Sequence, residues 1–405
     1  MMTVYRYQFC DLLTDRPVAE LDLSGVSFDR RIGQPGSFSA SFPITNPDSA
    51  ELAAKVAGRY DGRLRRGPGR TIVHVWRGSE IWGSYIIWSA EPSCDERGRI
   101  SLSLDGASLE SYLYHREIRE DLEFRNADQL DIARGLAAHM ERERPIGLEL
   151  SGPEISGVYR TRRYRSSEAA TYGERLEELA EVVDGPEWMI RTRPERDRRV
   201  REFVVDLRMG QDITEHVFAQ PGNVLSWSYP ADAGDTATSW RARGDTPNDD
   251  LSEESEPSLS DTWEDPAYRK AGWPLLERTV DYQGITDTDV LDDYARWRAS
   301  RTLGASRFPQ VTVRLGEDTS FSPANLGDRA RLTLVNDWFP LVRGRPSFSK
   351  SWRVIGIEVT PVSRDDGQEA ATLIFQEETE ADPERFESED SGATAVLSPV
   401  HPEAA

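Results

Sequence analysis

Lysine is almost missing from this chain of 405 residues: Lys55, Lys270 and Lys350 stand alone, and arginine supplies the rest of its 49 basic side chains. The skew reads as the trace of a GC-rich genome. Cysteine is equally scarce, and Cys10 and Cys94 show no metal-ligand spacing, which excludes a zinc knot or a disulfide framework. Each reads as a small buried hydrophobe in a strand-like stretch, with a Cys10–Cys94 bridge as the weaker alternative. The five histidines, His74, His115, His139, His216 and His401, include no pair at helical or zinc-finger spacing; each reads as structural or exposed. Long apolar runs are lacking too, so no segment spans a membrane as a helix. Met1 to Tyr7 lacks the basic-then-apolar profile of a secretory signal, and the expectation is a protein made and assembled in the cytoplasm.

What is abundant is acid. Aspartate and glutamate number 71, giving a net charge of -22, with 30% charged and 38% hydrophobic residues and a mean hydropathy of -0.60. This is a globular composition with solvated loops, long enough for two or three cored domains. A protein that wraps nucleic acid needs a cationic footprint, so that class is excluded. An acidic surface can still line a conduit, because like-charge repulsion keeps DNA from sticking to the wall.

Periodicity divides the chain. Residues 1–105 read as one small β-barrel or sandwich, with strands over 4–12, 18–23, 37–44, 72–77, 81–90 and 100–105 and a short helix over 48–57. In the last strand Ile100, Leu102 and Leu104 alternate with Ser101 and Ser103, the mark of a half-buried strand. Residues 106–215 read as α+β. Asn126 with Gln129 predicts one capping box and Thr171 with Glu174 another, and Gly185 is placed to end the second helix in a left-handed turn. The spans 187–192 and 202–208 suggest a hairpin joined by an arginine-rich loop. Residues 216–376 return to β, with a long acidic insertion over 244–274 and a helix over 287–303 capped by Thr286. Residues 377–405 read as an acidic disordered tail.

No pattern carries catalysis. Asp287, Asp289, Asp292 and Asp293 lack the Gly and Glu positions of a calcium loop and suit a helix N-terminus instead. Gly67-Pro68-Gly69 lacks a phosphate loop's ending. No serine stands in a nucleophile elbow, and chance carboxylate pairs are inevitable among so many acids. The expectation is no catalytic residue, no cofactor and no metal. Trp76, Trp82, Trp88 and Trp227 fall in strands and read as core. Trp263, Trp273 and Trp338 fall in loops and are candidate subunit contacts, since aromatics enrich interface centres. The run Arg191, Arg193, Arg196, Arg198, Arg199, Arg201 reads as a solvated hairpin tip. The alternative is a docking loop in which Arg198 and Arg199 meet Glu253 and Glu254 of the next subunit.

The order of several segments resembles a known family. Leu21 to Phe28 and Gly36 to Ala40 resemble its first strands, and Ile100 to Gly106 followed by Leu109 to Leu113 its strand-to-helix transition. Asp128 to Ala133 and Leu176 to Gly185 are similar to its two central helices. Asn325 to Ala330, then Trp352 to Val359 and Ala371 to Phe375, resemble the opening and the closing hairpin of its second barrel. The family is that of the tail-tip (baseplate) hub or minor tail proteins of actinobacterial long-tailed phages and prophages. The resemblance implies a β-rich α+β fold with two small tail-tube-like β-barrels and an α+β insertion. It further implies a non-enzymatic homotrimer at the virion tail tip, a pseudo-sixfold ring between tube and tip. Its partners would be distal tail or tail tube proteins and tip or spike proteins, with DNA or an effector passing through the lumen without specific binding. The length leaves no expected room for an appended wall hydrolase or receptor-binding domain. The alternatives are another tail-tip or contractile-injection component, or a tail-associated cell-wall hydrolase.

Overall fold

The computed structural model describes residues 5–58, 66–182, 184–196, 198–211, 215–230, 233–234, 236–246, 256–264, 266–282, 285–301, 309–316, 321–361, 369–376 and 398–399. Glu253, Glu254, His401 and the acidic C-terminal segment other than Ser398–Pro399 lie outside these residues. The chain divides into two compact units, Met1–Trp227 with Gln310–Gln376, and Ser228–Pro309 with Glu377–Ala405.

Strand dominates the larger unit. It begins with β1 (Tyr5–Asp11), β2 (Pro17–Leu21), β3 (Ser24–Arg31), β4 (Ser37–Ile44), α1 (Pro47–Ala57), β5 (Thr71–Arg77), β6 (Glu80–Cys94) and β7 (Ile100–Ser108). These strands run in the order β3-β4-β7-β6-β5-β1-β2, every pair antiparallel. In β4, Phe38, Ala40 and Phe42 are buried while Ser37 and Ser39 are exposed, the period of two that turns one face to a core. Asn46 caps α1: its side chain accepts from the Ser49 N–H at 2.8 Å, the Ser49 hydroxyl accepts from the Asn46 N–H at 3.0 Å, and Pro47 follows. Such a box stabilises a helix start by about 1 kcal/mol.

The middle segment supplies β8 (Leu122–Asp128), α2 (Gln129–Met140), β9 (Leu148–Ser151), β10 (Tyr159–Tyr164), α3 (Tyr172–Ala180), β11 (Glu187–Glu195) and β12 (Arg198–Asp206). The expected stripe Ile132, Leu136, Met140 is fully buried. It shares a core with Leu176, Trp188 and Phe203, and with Cys10, Ile72 and Ile86 from the first sheet. Thr171 and Glu174 form the expected box. The other cap differs: Asp128, not Asn126, starts α2, with Oδ1 accepting from the Leu130 N–H at 2.9 Å. Asn126 stays in β8 with φ +45°. The end of α3 differs as well. Asp184, at φ +56°, takes the left-handed position expected of Gly185, a conformation that a short polar side chain tolerates. The arginine-rich segment is strand rather than loop, since β11 and β12 pair from Glu187↔Asp206 out to Glu195↔Arg198.

The rest comprises β13 (Glu215–Gln220), β14 (Val224–Ser228), β15 (Ser239–Arg243), β16 (Trp263–Glu264), α4 (Pro266–Lys270), β17 (Glu277–Asp281), α5 (Thr288–Arg301), β18 (Gln310–Arg314), β19 (Arg329–Leu334), β20 (Leu341–Val342), β21 (Arg345–Pro346), β22 (Phe348–Thr360), β23 (Ala370–Phe375) and β24 (Ser398–Pro399). The first strands extend into the last: β22 pairs with β3, and the path β14-β18-β23-β22-β3 continues the sheet, with β13 and β19 branching off. Along this path the backbone ladder is open at β14 and β2. Side chains nonetheless show that it curls. Glu369, just before β23, is bound by Tyr5 of β1, by Arg77 Nε of β5 at 2.6 Å and by Arg77 Nη2 at 2.9 Å. Phe28 of β3 packs edge-on to Tyr5 at 6.3 Å, and its ring lies 6.0 Å from that of Tyr85 in β6.

The smaller unit is a sheet in the order β17-β15-β16-β24 with α5 on it. Trp240, Trp263, Leu291, Ala295 and Ala299 form its core. Asp287 Oδ1 accepts from the Asp289 N–H at 2.9 Å where α5 begins, which places acid at a helix start as the sequence suggested. Among the described residues, no helix is long and apolar enough to cross a membrane.

Candidate functional site

Three clusters of polar or exposed side chains merit chemical tests. The first gathers Cys10, Asp15 and His74, whose possible ligand atoms all lie within 4.8 Å of one another. Two guanidinium groups already occupy the carboxylate: Arg199 Nε lies 2.7 Å from Asp15 Oδ2, and Arg201 Nη2 lies 3.1 Å from Oδ1. His74 is spent as well, with Nδ1 2.8 Å from Ser84 Oγ and Nε2 3.0 Å from Asp15 Oδ1. Burial pushes the Cys10 thiol up to about 11, so it stays protonated and is a poor ligand. A cation would face two positive neighbours and no free thiolate. The cluster therefore does not fit a metal; it ties the turn after β1 to β5 and β12.

The second cluster is a pair of buried ionic clamps. Arg30 and Glu110, with 5% and 0% of their side chains exposed, pair at 3.2 Å. Both also grip β11: Glu110 Oε1 accepts from the Ile190 N–H at 2.7 Å, and Arg30 Nη2 donates to the Ile190 carbonyl at 2.5 Å. Burial is the largest single influence and would lower the Arg30 pKa, but Glu110, Tyr85 and Asp29 together outweigh it and hold the guanidinium above its usual value. Arg353 of β22 is fully buried and binds Glu187 at the start of β11, with Nη1 2.6 Å from Oε1. Its Nε donates to the Gly327 carbonyl at 3.0 Å and its Nη2 to the Met209 carbonyl at 2.7 Å. Gly327 and Gly210 meet there backbone to backbone, both at positive φ, and a Cβ on either would lie 2.0–2.3 Å from the other's segment. These clamps position segments and present no reacting group to solvent.

The third cluster is on the surface. Trp338, Leu341 and Val342 are 77%, 55% and 56% exposed. They flank and build the isolated two-stranded hairpin β20–β21.

Two crystal structures of tail proteins match the fold of this chain. The tail protein from Neisseria meningitidis MC58 superimposes with a TM-score of 0.56 at 15% identity, over 92% of this chain and 96% of its own. The 43 kDa tail protein of prophage MuSo2 from Shewanella oneidensis gives 0.59 at 12% identity, over 91% and 98%. The chain shares the fold of these tail proteins. No family model and no curated protein matches the sequence, which places the likeness in the arrangement of elements rather than in shared side chains.

Within this tail-protein fold the sequence-predicted contacts separate. Trp338 is the most exposed large apolar side chain described, and Trp273 is 40% exposed. Trp263, 4% exposed, anchors the core of the smaller unit, with the Arg296 guanidinium 4.3 Å over its ring. Arg198 reaches Glu195 and Glu149 of its own chain at 2.6 and 2.8 Å. Arg199 turns inward to Asp15 and Gln8. Glu253 and Glu254 lie outside the described residues. Sequence reading missed Leu341 and Val342; their signal was an apolar pair directly followed by the turn-forming Arg343-Gly344. It also missed Glu110, Glu187 and Arg353, because an isolated charge in a strand or turn carries no mark of its buried partner.

Proposed function

We propose that this chain is a structural tail-tip hub subunit of a phage-like particle. It would form a ring of identical copies, a homotrimer, that joins the tail tube to the tip and lines the conduit for DNA or an effector. In this reading its neighbours are distal tail or tube proteins on one side and tip or spike proteins on the other. The two β segments expected to be barrels, 1–105 and 216–376, would furnish the ring. The lineage follows the sequence resemblance, an actinobacterial phage or prophage. One observation carries the proposal: the fold likeness to two tail proteins runs over more than nine-tenths of this chain and of both of them. The clamps support it, because they give rigidity rather than a reactive centre, and the charge of -22 suits a wall that must not hold DNA.

The test is location in the particle. Antibody or gold labelling of purified particles, followed by cryo-microscopy, is expected to place the chain at the distal end of the tail. A label on the capsid, or particles with complete tails when the gene is deleted, would sink the reading. A cell-wall digestion assay with the pure chain is expected to release no sugar or peptide fragments.

A further inference from the structure

We propose that the C-terminal strand β24 is a releasable latch that fills, within its own chain, a strand-accepting edge on β16. The proposal concerns the smaller unit alone, and its test runs on the isolated chain, so the tail-tip reading stands or falls separately.

The seat is built without the latch. On its inner side β16 joins β15, with Ser239 opposite Glu264 and Trp240 opposite Trp263. The run leading into it is fastened at two residues. The Ser260 N–H donates to the Ala242 carbonyl at 2.9 Å, and Ser260 Oγ accepts from the Ala242 N–H at 2.8 Å. Asp292 Oδ1 of α5 accepts from the Asp261 N–H at 2.6 Å. Trp263 is rooted in the core beside Leu291 and Ala295, and Arg269 holds the Glu264 carboxylate at 2.8 Å. These contacts fix Trp263–Glu264 as an extended edge whatever lies on its outer side. A preformed edge takes an added strand at low ordering cost. Left bare, it is also a template for pairing with any other chain.

The outer side is taken by β24, antiparallel, with Pro399 opposite Trp263 and Ser398 opposite Glu264. Three features make it a latch rather than a permanent member of the sheet. Its ladder is two residues long, against five for β15 on β17, so few backbone hydrogen bonds hold it. Pro399 has no N–H to offer, which ends the sheet there while the latch is seated. The third feature is the tether: 21 residues, 377–397, lie between Gln376 and Ser398. A tether of such length keeps a strand near its seat at an effective concentration of about a millimolar. That is high enough to keep a weakly paired strand in place, and low enough for a longer strand with a fuller ladder to displace it. The latch thus closes the edge in the free chain and makes strand addition conditional on exchange.

The test uses full-length chains with Cys94→Ser, because Cys94 is exposed and Cys10 is buried. Glu264→Cys/Ser398→Cys places thiols at opposed positions of the ladder. Such positions bring their Cα atoms to about 4.5–5.5 Å, a distance a disulfide spans. Mild oxidation is expected to close the bridge within one chain. A fluorescein-labelled peptide of residues 394–403 is then expected to bind the reduced chain at least tenfold tighter than the oxidised one. Replacing residues 396–400 by glycine and serine removes the tethered competitor and should tighten peptide binding at least tenfold over the parent. Amide exchange at Ala242 in β15 and Val280 in β17, unchanged across the variants, shows that the sheet persists without the latch. Bridges that form only between chains, or not at all, overturn the seat. Equal peptide binding by the oxidised and reduced chains overturns the release, as does a latch-replaced chain that binds no tighter than the parent. Loss of protection at Ala242 in that chain also overturns the proposal, because β24 would then be a permanent part of the sheet.

Discussion

The Arg30–Glu110 clamp gives the sharpest quantitative test. Both side chains are buried, they pair at 3.2 Å, and each also bonds the Ile190 backbone. Removing one partner strands the other as an uncompensated charge, at a cost of about 3–5 kcal/mol. For Glu110→Ala the Ile190 N–H also loses its acceptor, so the upper half of that range is expected. At roughly 2–4 °C per kcal/mol for a large domain, the midpoint of thermal unfolding should fall by about 8–20 °C. Arg30→Met should fall similarly, because Glu110 would then be the stranded charge. The double variant Arg30→Met/Glu110→Leu should recover most of the loss, since apolar replacement of a whole buried pair is often neutral. Denaturant unfolding of the four chains gives the coupling directly. Single variants that each cost under about 1 kcal/mol, or a cycle whose two losses simply add, would refute the reasoning.

Burial, more than Asp15, sets the protonation of His74 and holds its pKa below the usual histidine value. The unfolded chain therefore takes up that proton near pH 6.5 while the folded chain does not. Stability should be full above about pH 6.5 and fall as pH drops, by up to about 1.4 kcal/mol per pH unit, and His74→Gln should flatten that slope in denaturant titrations. Asp128→Ala removes the α2 cap and the anchor of Ser156 and Gly157, so it should lower stability by about 2–4 kcal/mol; Asp128→Asn should cost visibly less. Gly327→Ala meets the Met209 and Gly210 backbone at 2.3–2.6 Å with φ +99°, and expression should yield mostly insoluble chain. Trp338→Ser should leave the denaturation midpoint within about 0.5 kcal/mol of the parent, because its side chain is largely in water.

The parts of the fold that were legible in sequence are those governed by local rules. The alternation in Ile100–Leu104 and the Thr171–Glu174 box depend on neighbours a few residues away; the box appears where expected, and the alternation holds at the buried Leu102 and Leu104 while Ile100 at the strand's start is exposed. The Asp128 cap was missed because Asn126 and Asp128 are both competent caps, and the choice rests on Ser156 and Gly157, 28 and 29 residues on. The arginine run reads as a loop because Pro194, Glu195 and Asp197 interrupt it, and proline and acids are poor strand formers. Pairing across β11–β12 and the pull of Asp15 on Arg199 and Arg201 overrode that preference. The union of first and last strands in one sheet left no mark either, since a strand edge looks the same whichever partner covers it. At the candidate contacts, Trp338 was legible as a loop aromatic, while Trp263 was drawn into a core by α5, an element far along the chain.

The β3–β22 pairing also sets a timetable for biogenesis. Arg31 and its partner Gly356 are 325 residues apart, so at about 5–20 residues per second of synthesis β3 emerges roughly 15–65 s before the strand that covers it. Through that interval β3 lies at the edge of the seven-strand nascent sheet, a template for β22 of any neighbouring chain. On a crowded polysome the same register could close between molecules as readily as within one. Exchange of β22 between nascent chains is thus the misassembly to look for when ribosomes crowd the message, and slower initiation, which spaces the nascent chains apart, should reduce it.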